Sequence, residues 1–289
     1  MPEARKDTDR LKFNRITTLP PLPRTAAQLL EVAGDPEVDI DQVVKIIDQD
    51  PPLTARILGL ANSAYFGQLR EINTIREAII RVLGMNLVKS LSLSIAMAGS
   101  FDTEACREFS LKDYWYHSLG TATLARMVAQ RANLADVTIV DSVYLCGLLH
   151  KLGFLLLAHM YPRELSAVLI ERQQNPDSDL CTLEQEAIGI DHMVAGEWLV
   201  ERWHLPEAVG TVIRFFNDSD YDELYRFHLA SVRTASHWVD SEMYGAQISL
   251  SDDANVFKLL KLDKEQCTKI ETKFLNQCDE LHTVSRLLS

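Results

Sequence analysis

The sequence is poor in the residues that build disulfide frameworks, small zinc domains and β-turns. Its 5 cysteines are scattered, with no Cys-x-x-Cys pair, which argues against a disulfide framework and a structural zinc site. Glycine and proline are few, at 12 and 10 of 289 residues, and no segment alternates convincingly between apolar and polar residues. These absences favour helices over strands.

Long apolar runs and excess positive charge are also missing. No run of about 18 uncharged apolar residues occurs, so no membrane span is expected. The charged first 15 residues have no apolar centre, which excludes a secretory signal, and the chain is expected to stay in the cytoplasm. A net charge of -12 gives no counterion-release driving force, so nucleic acid is not an expected partner.

Helical periodicity dominates what is present, and it predicts an all-α protein made of two packed helical bundles. Residues 1–18 are predicted to form a flexible tail. Residues 19–100 read as an N-terminal bundle of about five short helices. Residues 101–289 are predicted to form the second helical bundle, together with the C-terminal helices.

The central helix of the second bundle is predicted over residues 137–158, capped by Asp136. It carries the apolar stretch from Tyr144 to Gly153, which contains His150 followed by Lys151. His117 and His192 also stand in helical contexts rich in small or apolar residues. A neutral imidazole there can bind a transition metal, and the alternative is a core histidine that donates to a neighbouring carbonyl.

Several motifs carry a family resemblance, and the most specific is Ala61–Gly67, preceded by Asp50-Pro51-Pro52-Leu53. Further matches are Leu19–Pro23, Ile75–Ile79, Leu83-Gly84, Gly147–His150, Gly189–His192 and Trp203–Pro206. On these residues, about 19–240 of the chain resembles the HDOD proteins, non-catalytic-looking relatives of the HD-domain metal phosphohydrolases. The resemblance implies an HD-like fold for the second bundle.

The resemblance also implies where a metal site would lie. HD-domain hydrolases use a first histidine, a His-Asp pair and a later aspartate, and some relatives add further histidines. His117 matches the first position, His150 the histidine of the pair, and His192 a later histidine. Lys151 stands where the aspartate of the pair is expected.

The sequence departs from the metal-binding pattern of the hydrolases in two further places. Phe215-Phe216 replaces paired histidines, and the segment Leu229–Arg233 has no acid where the final aspartate is expected. A hydrolytic divalent metal needs anionic oxygen ligands, so neither catalysis nor a metal cofactor is expected. Lys151 is expected to extend to solvent; the alternative is that it pairs with a carboxylate or a bound anion in place of the missing cation.

The resemblance implies a bacterial signalling or regulatory protein that acts as a non-catalytic binding module, with other signalling proteins as partners. One alternative is a metal-dependent phosphohydrolase acting on nucleotides or cyclic dinucleotides. Another is a sensor that binds a small molecule or nucleotide in the former active-site cavity. The candidate ligand-binding residues are His117, His150, Lys151 and His192, and the candidate partner surface is formed by Tyr65 and Phe66, where aromatic side chains follow a helix end.

Overall fold

The structure, a computed structural model, describes residues 19–33, 38–67, 70–132, 137–176, 178–245 and 248–289. Within these ranges the regular elements are helices and there is no β-strand, which confirms the all-α prediction. The predicted tail over residues 1–18 and the predicted cap at Asp136 lie outside the described residues.

The N-terminal bundle begins after the extended, proline-rich entry. Its third helix is capped by Asp50, whose Oδ1 accepts a hydrogen bond from the Leu53 amide at 3.1 Å, and Pro51 fits the first turn because that amide has no helical partner. The helices are α1 (Arg24–Ala33), α2 (Ile40–Asp48), α3 (Pro51–Ala61), α4 (Ile75–Glu77, continued as a π-helical turn over Ala78–Leu83) and α5 (Met85–Ala98).

The second bundle is longer and closes around α6. Its helices are α6 (Leu111–Arg131), α7 (Val137–Leu149), α8 (Leu152–Met160), α9 (Pro162–Gln174), α10 (Leu180–Ala187), α11 (His192–Trp203), α12 (Glu207–Arg214), α13 (Arg226–Met243), α14 (Ala254–Lys258), α15 (Lys264–Leu275) and α16 (Cys278–Leu288). The boundary between the bundles near residue 100 stays a prediction.

Helix α6 is the centre of the core. Every residue from Tyr114 to Ala125 is buried, and α7, α13, α15 and α16 all pack against it. Gly147 lets α7 approach α6 closely, since a Cβ there would lie 2.5 Å from the Cα of Ala122. This close approach fixes the end of α7, where His150 and Lys151 follow.

The predicted single helix over residues 137–158 is wrong, because the chain breaks after Leu149. Lys151 has φ -102° and ψ 21°, and α8 begins at Leu152. Two residues further on, Gly153 lies so close to α11 that a Cβ would come within 1.8 Å of the His192 carbonyl oxygen. The break therefore places His150 and Lys151 at a junction fixed by α6 on one side and α11 on the other.

The same stretch has the length of a membrane span. Ile139–Met160 covers 22 residues with a mean hydropathy of 1.5, but 72% of the apolar window is buried inside the fold. Burial among other helices accounts for this apolar character, as expected for the central helices of a globular core.

Candidate functional site

The central feature of the site is a contact among three charged or titratable side chains. His117 Nε2 lies 3.0 Å from Lys151 Nζ and 2.9 Å from Asp240 Oδ1. The Lys151 ammonium also donates to both Asp240 oxygens, at 3.2 and 3.4 Å. Helix α6, the break between α7 and α8, and helix α13 each supply one member, so this cluster depends on tertiary packing.

His150 lies directly beside this cluster and is fixed at both ring nitrogens. Nδ1 is 2.7 Å from the Gly147 carbonyl oxygen, so the ring donates there, and Nε2 is 3.2 Å from Ser236 Oγ. The ring centroid lies 5.3 Å from that of His117 and 5.7 Å from that of Phe216. The family resemblance predicts a histidine where Phe216 stands. Phe216 therefore covers His150 with an apolar ring.

Burial and the Lys151 charge both lower the pKa of the two histidines, and Asp240 partly opposes them. Desolvation lowers the pKa of His117, and the nearby Lys151 ammonium lowers it further. The pKa of His150 is held well below its ordinary value by burial, then by His117 and Lys151. Burial opposes the ionisation of Asp240, but Lys151 and His117 together hold its pKa below the usual range. The cluster thus favours neutral imidazoles beside an ammonium–carboxylate pair.

Two expectations from the sequence are wrong here. Lys151 does not extend to solvent: its side chain is 18% exposed and pairs with Asp240. An acid is not missing from the site either, since Asp240, seven residues beyond Arg233, places a carboxylate oxygen 2.9 Å from His117 Nε2. The signal that could have identified Asp240 is its spacing, four residues after buried Ser236 and thus on the same face of a mostly buried helix.

The divalent metal implied by the resemblance does not fit this cluster. The Lys151 ammonium already contacts His117 and Asp240, two of the side chains that would act as ligands. A dication about 4 Å from an ammonium would be repelled by on the order of 8 kcal/mol at an effective dielectric constant of 20. The ammonium thus places a positive charge beside the side chains that would have to bind the metal.

His192 contacts a different set of side chains from the cluster around His117. Its Nδ1 lies 2.6 Å from Glu184 Oε2, and its ring stacks on Phe154 with centroids 3.9 Å apart. The structure therefore brings together His117, His150 and Lys151 of the predicted ligand-binding residues and places His192 in a second cluster.

The predicted partner surface is partly covered by the fold. Tyr65 and Phe66 are half-buried and pack against the core, and the Tyr65 hydroxyl lies 3.1 Å from Thr123 Oγ1 on α6. The Tyr65 contact joins the N-terminal bundle to α6. A partner at this surface stays a prediction.

A cavity of about 510 Å³ is lined by residues of α13 and of the segments before and after it. Phe216 forms part of its wall and also packs on His150. His237 and Trp238 contribute from α13, and Arg233 adds a guanidinium group. The cavity is large enough for a small organic ligand.

Comparison with known proteins gives one curated relative of moderate similarity. An uncharacterised protein of Treponema pallidum (strain Nichols) is 29% identical over 242 residues, which cover 82% of this chain and 46% of that protein. The chain thus spans less than half the length of this relative.

Solved structures of similar fold cover nearly the whole chain. An HDOD domain protein of unknown function from Geobacter sulfurreducens aligns with a TM-score of 0.79 and 23% identity, covering 100% of this chain and 99% of that one. A candidate signal transduction protein from Marinobacter aquaeolei VT8 gives 0.78 and 22%, covering 93% and 60%. A candidate phosphohydrolase from Shewanella amazonensis SB2B gives 0.76 and 23%, covering 96% and 97%.

These likenesses establish a shared fold, and the family follows from the sequence. The HDOD domain model matches residues 19–219, which include the N-terminal bundle, the His117 cluster except for Asp240, and the cluster around His192. The chain therefore belongs to the HDOD domain family.

Proposed function

We propose that this chain is a non-catalytic regulatory module that acts in signalling by binding other proteins. The observation that carries this proposal is the Lys151 ammonium, which contacts His117 and Asp240 where a hydrolase would hold a metal. An internal cation satisfies the carboxylate without a metal and leaves no Lewis acid to activate water. We further propose that the chain acts in the bacterial cytoplasm, with other signalling proteins as partners.

Family membership supports the regulatory part of this proposal. One structure of the same fold belongs to a candidate signal transduction protein and another to a candidate phosphohydrolase, so the fold alone favours neither role. The chemistry of the cluster supports the non-catalytic role, because an ammonium beside His117 and Asp240 disfavours the binding of a divalent metal.

The catalytic part is tested by comparing wild type with Lys151→Asp, which places the expected acid after His150. Hydrolysis of a phosphodiester panel is measured with Mn²⁺ added, together with the number of Mn²⁺ ions bound per chain. Wild type should show no more turnover than His117→Ala, while Lys151→Asp should bind one more Mn²⁺ than wild type. Wild-type turnover that disappears in both His117→Ala and Asp240→Asn would refute the proposal.

A second candidate function is the sensing of a small molecule or nucleotide in the cavity beside Phe216. The cavity favours it, since a ligand there would touch Phe216 and His237, which neighbour His150 and Ser236. Thermal unfolding with a nucleotide panel tests this: a ligand at 100 times its Kd stabilises the fold by about 2.7 kcal/mol. The shift should vanish in Ala254→Trp, which fills part of the cavity wall; an unchanged shift would assign binding elsewhere.

A further inference from the structure

A second cluster, around His192, joins three side chains that bind transition metals. Cys181 and Glu184 lie three residues apart on α10 and so share one face of that helix. His192 is the first residue of α11. One donor atom from each of the three lies within 4.8 Å of the others. Because the pattern is Cys-x2-Glu-x7-His, a search of the sequence for paired cysteines does not find it.

Glu184 is the unusual member, because its carboxyl group is fully buried. Oε2 accepts hydrogen bonds from the His192 amide at 2.9 Å and from its ring at 2.6 Å. Oε1 has no hydrogen-bond partner among the described residues. A buried carboxylate oxygen left unpaired costs about 1 to 3 kcal/mol, so an unfilled acceptor at this place points to a missing ligand such as an ion.

The surrounding structure holds the histidine firmly. Asp191 caps α11 by accepting from the Val194 amide at 2.9 Å, and the Phe154 ring stacks on the imidazole. Gly153 brings α8 against the backbone of His192 itself. A metal-binding side chain with its rotamer fixed in this way loses little entropy when the metal binds.

The local electrostatics favour a cation. The side chains of Asp191, Glu184 and Asp179 all lie near the Cys181 thiol. Their negative charge attracts a dication, and metal binding would release the thiol proton. Cys181 is only partly buried, so an ion can reach the cluster from solvent.

We propose that Cys181, Glu184 and His192 bind one Zn²⁺ ion, at a site separate from the His117 cluster. The donor set selects the metal class: a sulfur and an imidazole nitrogen suit Zn²⁺, whereas Mg²⁺ and Ca²⁺ prefer oxygen ligands throughout. Tetrahedral Zn²⁺ holds its ligand atoms roughly 3.3 to 3.8 Å apart, so the three donors, all within 4.8 Å of one another, need only small shifts to reach that spacing. Three protein ligands leave the fourth position for water or an external group.

The site would join α10 to α11 and fix the segment between them, Ile188–Asp191. The alternative is that no ion binds. Glu184 and His192 would then form only a buried hydrogen bond that stabilises the fold, and Cys181 would have no role in the cluster. The two interpretations differ in what Cys181 does, so that residue is the one to change.

The test uses the full chain after chelator treatment, titrated with Zn²⁺ in competition with a chromogenic chelator. Wild type should bind one Zn²⁺ per chain in this titration. Cys181→Ser should bind Zn²⁺ at least about tenfold more weakly. Cys106→Ser is the matched control, since Cys106 is a buried cysteine outside the cluster; it should bind as wild type does. Co²⁺ gives a second readout, a thiolate-to-metal absorption band present in wild type and absent in Cys181→Ser.

Glu184→Gln should also weaken binding, and its circular dichroism spectrum will show whether this buried change preserves the fold. His117→Ala should leave Zn²⁺ binding unchanged, which separates this site from the His117 cluster. Wild type without retained Zn²⁺, or equal binding by wild type and Cys181→Ser, would overturn the proposal. Loss of the ion in His117→Ala instead would assign the metal to the other cluster.

Discussion

At the scale of single residues, Lys151 decides the chemistry of the His117 cluster. Its ammonium lies among His117, Asp240 and the neighbouring His150, so the positive charge of the site belongs to the chain itself. The pair is partly open to water, since Asp240 is 37% exposed, and screening reduces its contribution to stability. The contact is therefore expected to contribute only modestly to the free energy of unfolding.

Lys151→Met should lower the free energy of unfolding by about 1 to 2 kcal/mol, because Asp240 and His117 lose a charged hydrogen-bond partner. Urea unfolding at pH 7 measures the change. In a double-mutant cycle with Asp240→Asn, the two effects should be less than additive by about 1 kcal/mol. Strict additivity would show that the two side chains do not interact in solution.

The buried histidines make stability depend on pH. The pKa of His150 in the folded state is held well below its ordinary value, so between the two pKa values the unfolded chain binds more protons. Stability should therefore be complete above about pH 6.5 and fall as pH drops below it, by up to about 1.4 kcal/mol per pH unit for each such histidine. Asp240, with its lowered pKa, extends the loss to lower pH.

His150→Gln should reduce this slope between pH 6.5 and 5, whatever its effect on stability at pH 7. Chemical unfolding at a series of pH values measures it. His204→Asn is the control, because His204 is exposed and asparagine tolerates its left-handed backbone, φ 52°; its slope should equal that of wild type. An unchanged slope in His150→Gln would mean that His150 is not buried in its neutral form.

At the scale of elements, the break between α7 and α8 positions Lys151 in the His117 cluster and Phe154 against the second cluster. It ends α7 so that His150 and Lys151 face α6 and α13, and it starts α8 so that Phe154 stacks on His192. Apolar residues dominate both helices, so the pattern alone predicted one helix. The break depends on the close packing of α8 on α11. Gly153 is the one signal of this packing in the stretch.

Gly153→Ala should destabilise the fold by about 3 kcal/mol or more, since the new methyl group would meet the His192 carbonyl and force α8 away from α11. Gly59→Ala on α3 is the matched control: its nearest neighbour would be the Leu287 side chain at 3.9 Å. That change should be neutral or stabilise by up to about 1 kcal/mol, because alanine favours a helix. Similar effects in both variants, measured by thermal and urea unfolding, would contradict the close approach of α8 and α11.

At the scale of the whole molecule, the last helix joins the two bundles. Helix α16 packs on α6 of the second bundle and also on α3 of the first. Leu281, Val284 and Leu288 are buried in these contacts, although they lie near the end of the chain. The bundles are therefore expected to unfold together.

Leu281→Ala should cost about 2 to 4 kcal/mol, because it opens a cavity where α16 meets the core. Leu287→Ala on the same helix should cost less than about 1 kcal/mol, since Leu287 is 43% exposed. Urea unfolding compares the two, and hydrogen exchange in α3 reports whether the first bundle is loosened by Leu281→Ala. Protection in α3 that does not change would show that the bundles are independent.

The sequence by itself determined the family and the all-α class, and it singled out His117, His150 and Lys151 as candidate residues. Local patterns suffice for these predictions. Helical periodicity, caps such as Asp50 and runs such as Ala61–Gly67 depend only on residues that are close together in the chain. The sequence also shows that Lys151 stands where an acid is expected. This substitution supports the proposal that the chain is not an enzyme.

Tertiary structure decided what those side chains contact. It brought Asp240 from α13 to His117, turned Lys151 inward, and placed His192 with Glu184 and Cys181 instead of with His150. Each of these contacts joins different helices, so its geometry depends on how closely backbones approach, at Gly147 and Gly153 above all. Residue spacing along one chain does not contain that information, because it arises only when the helices pack.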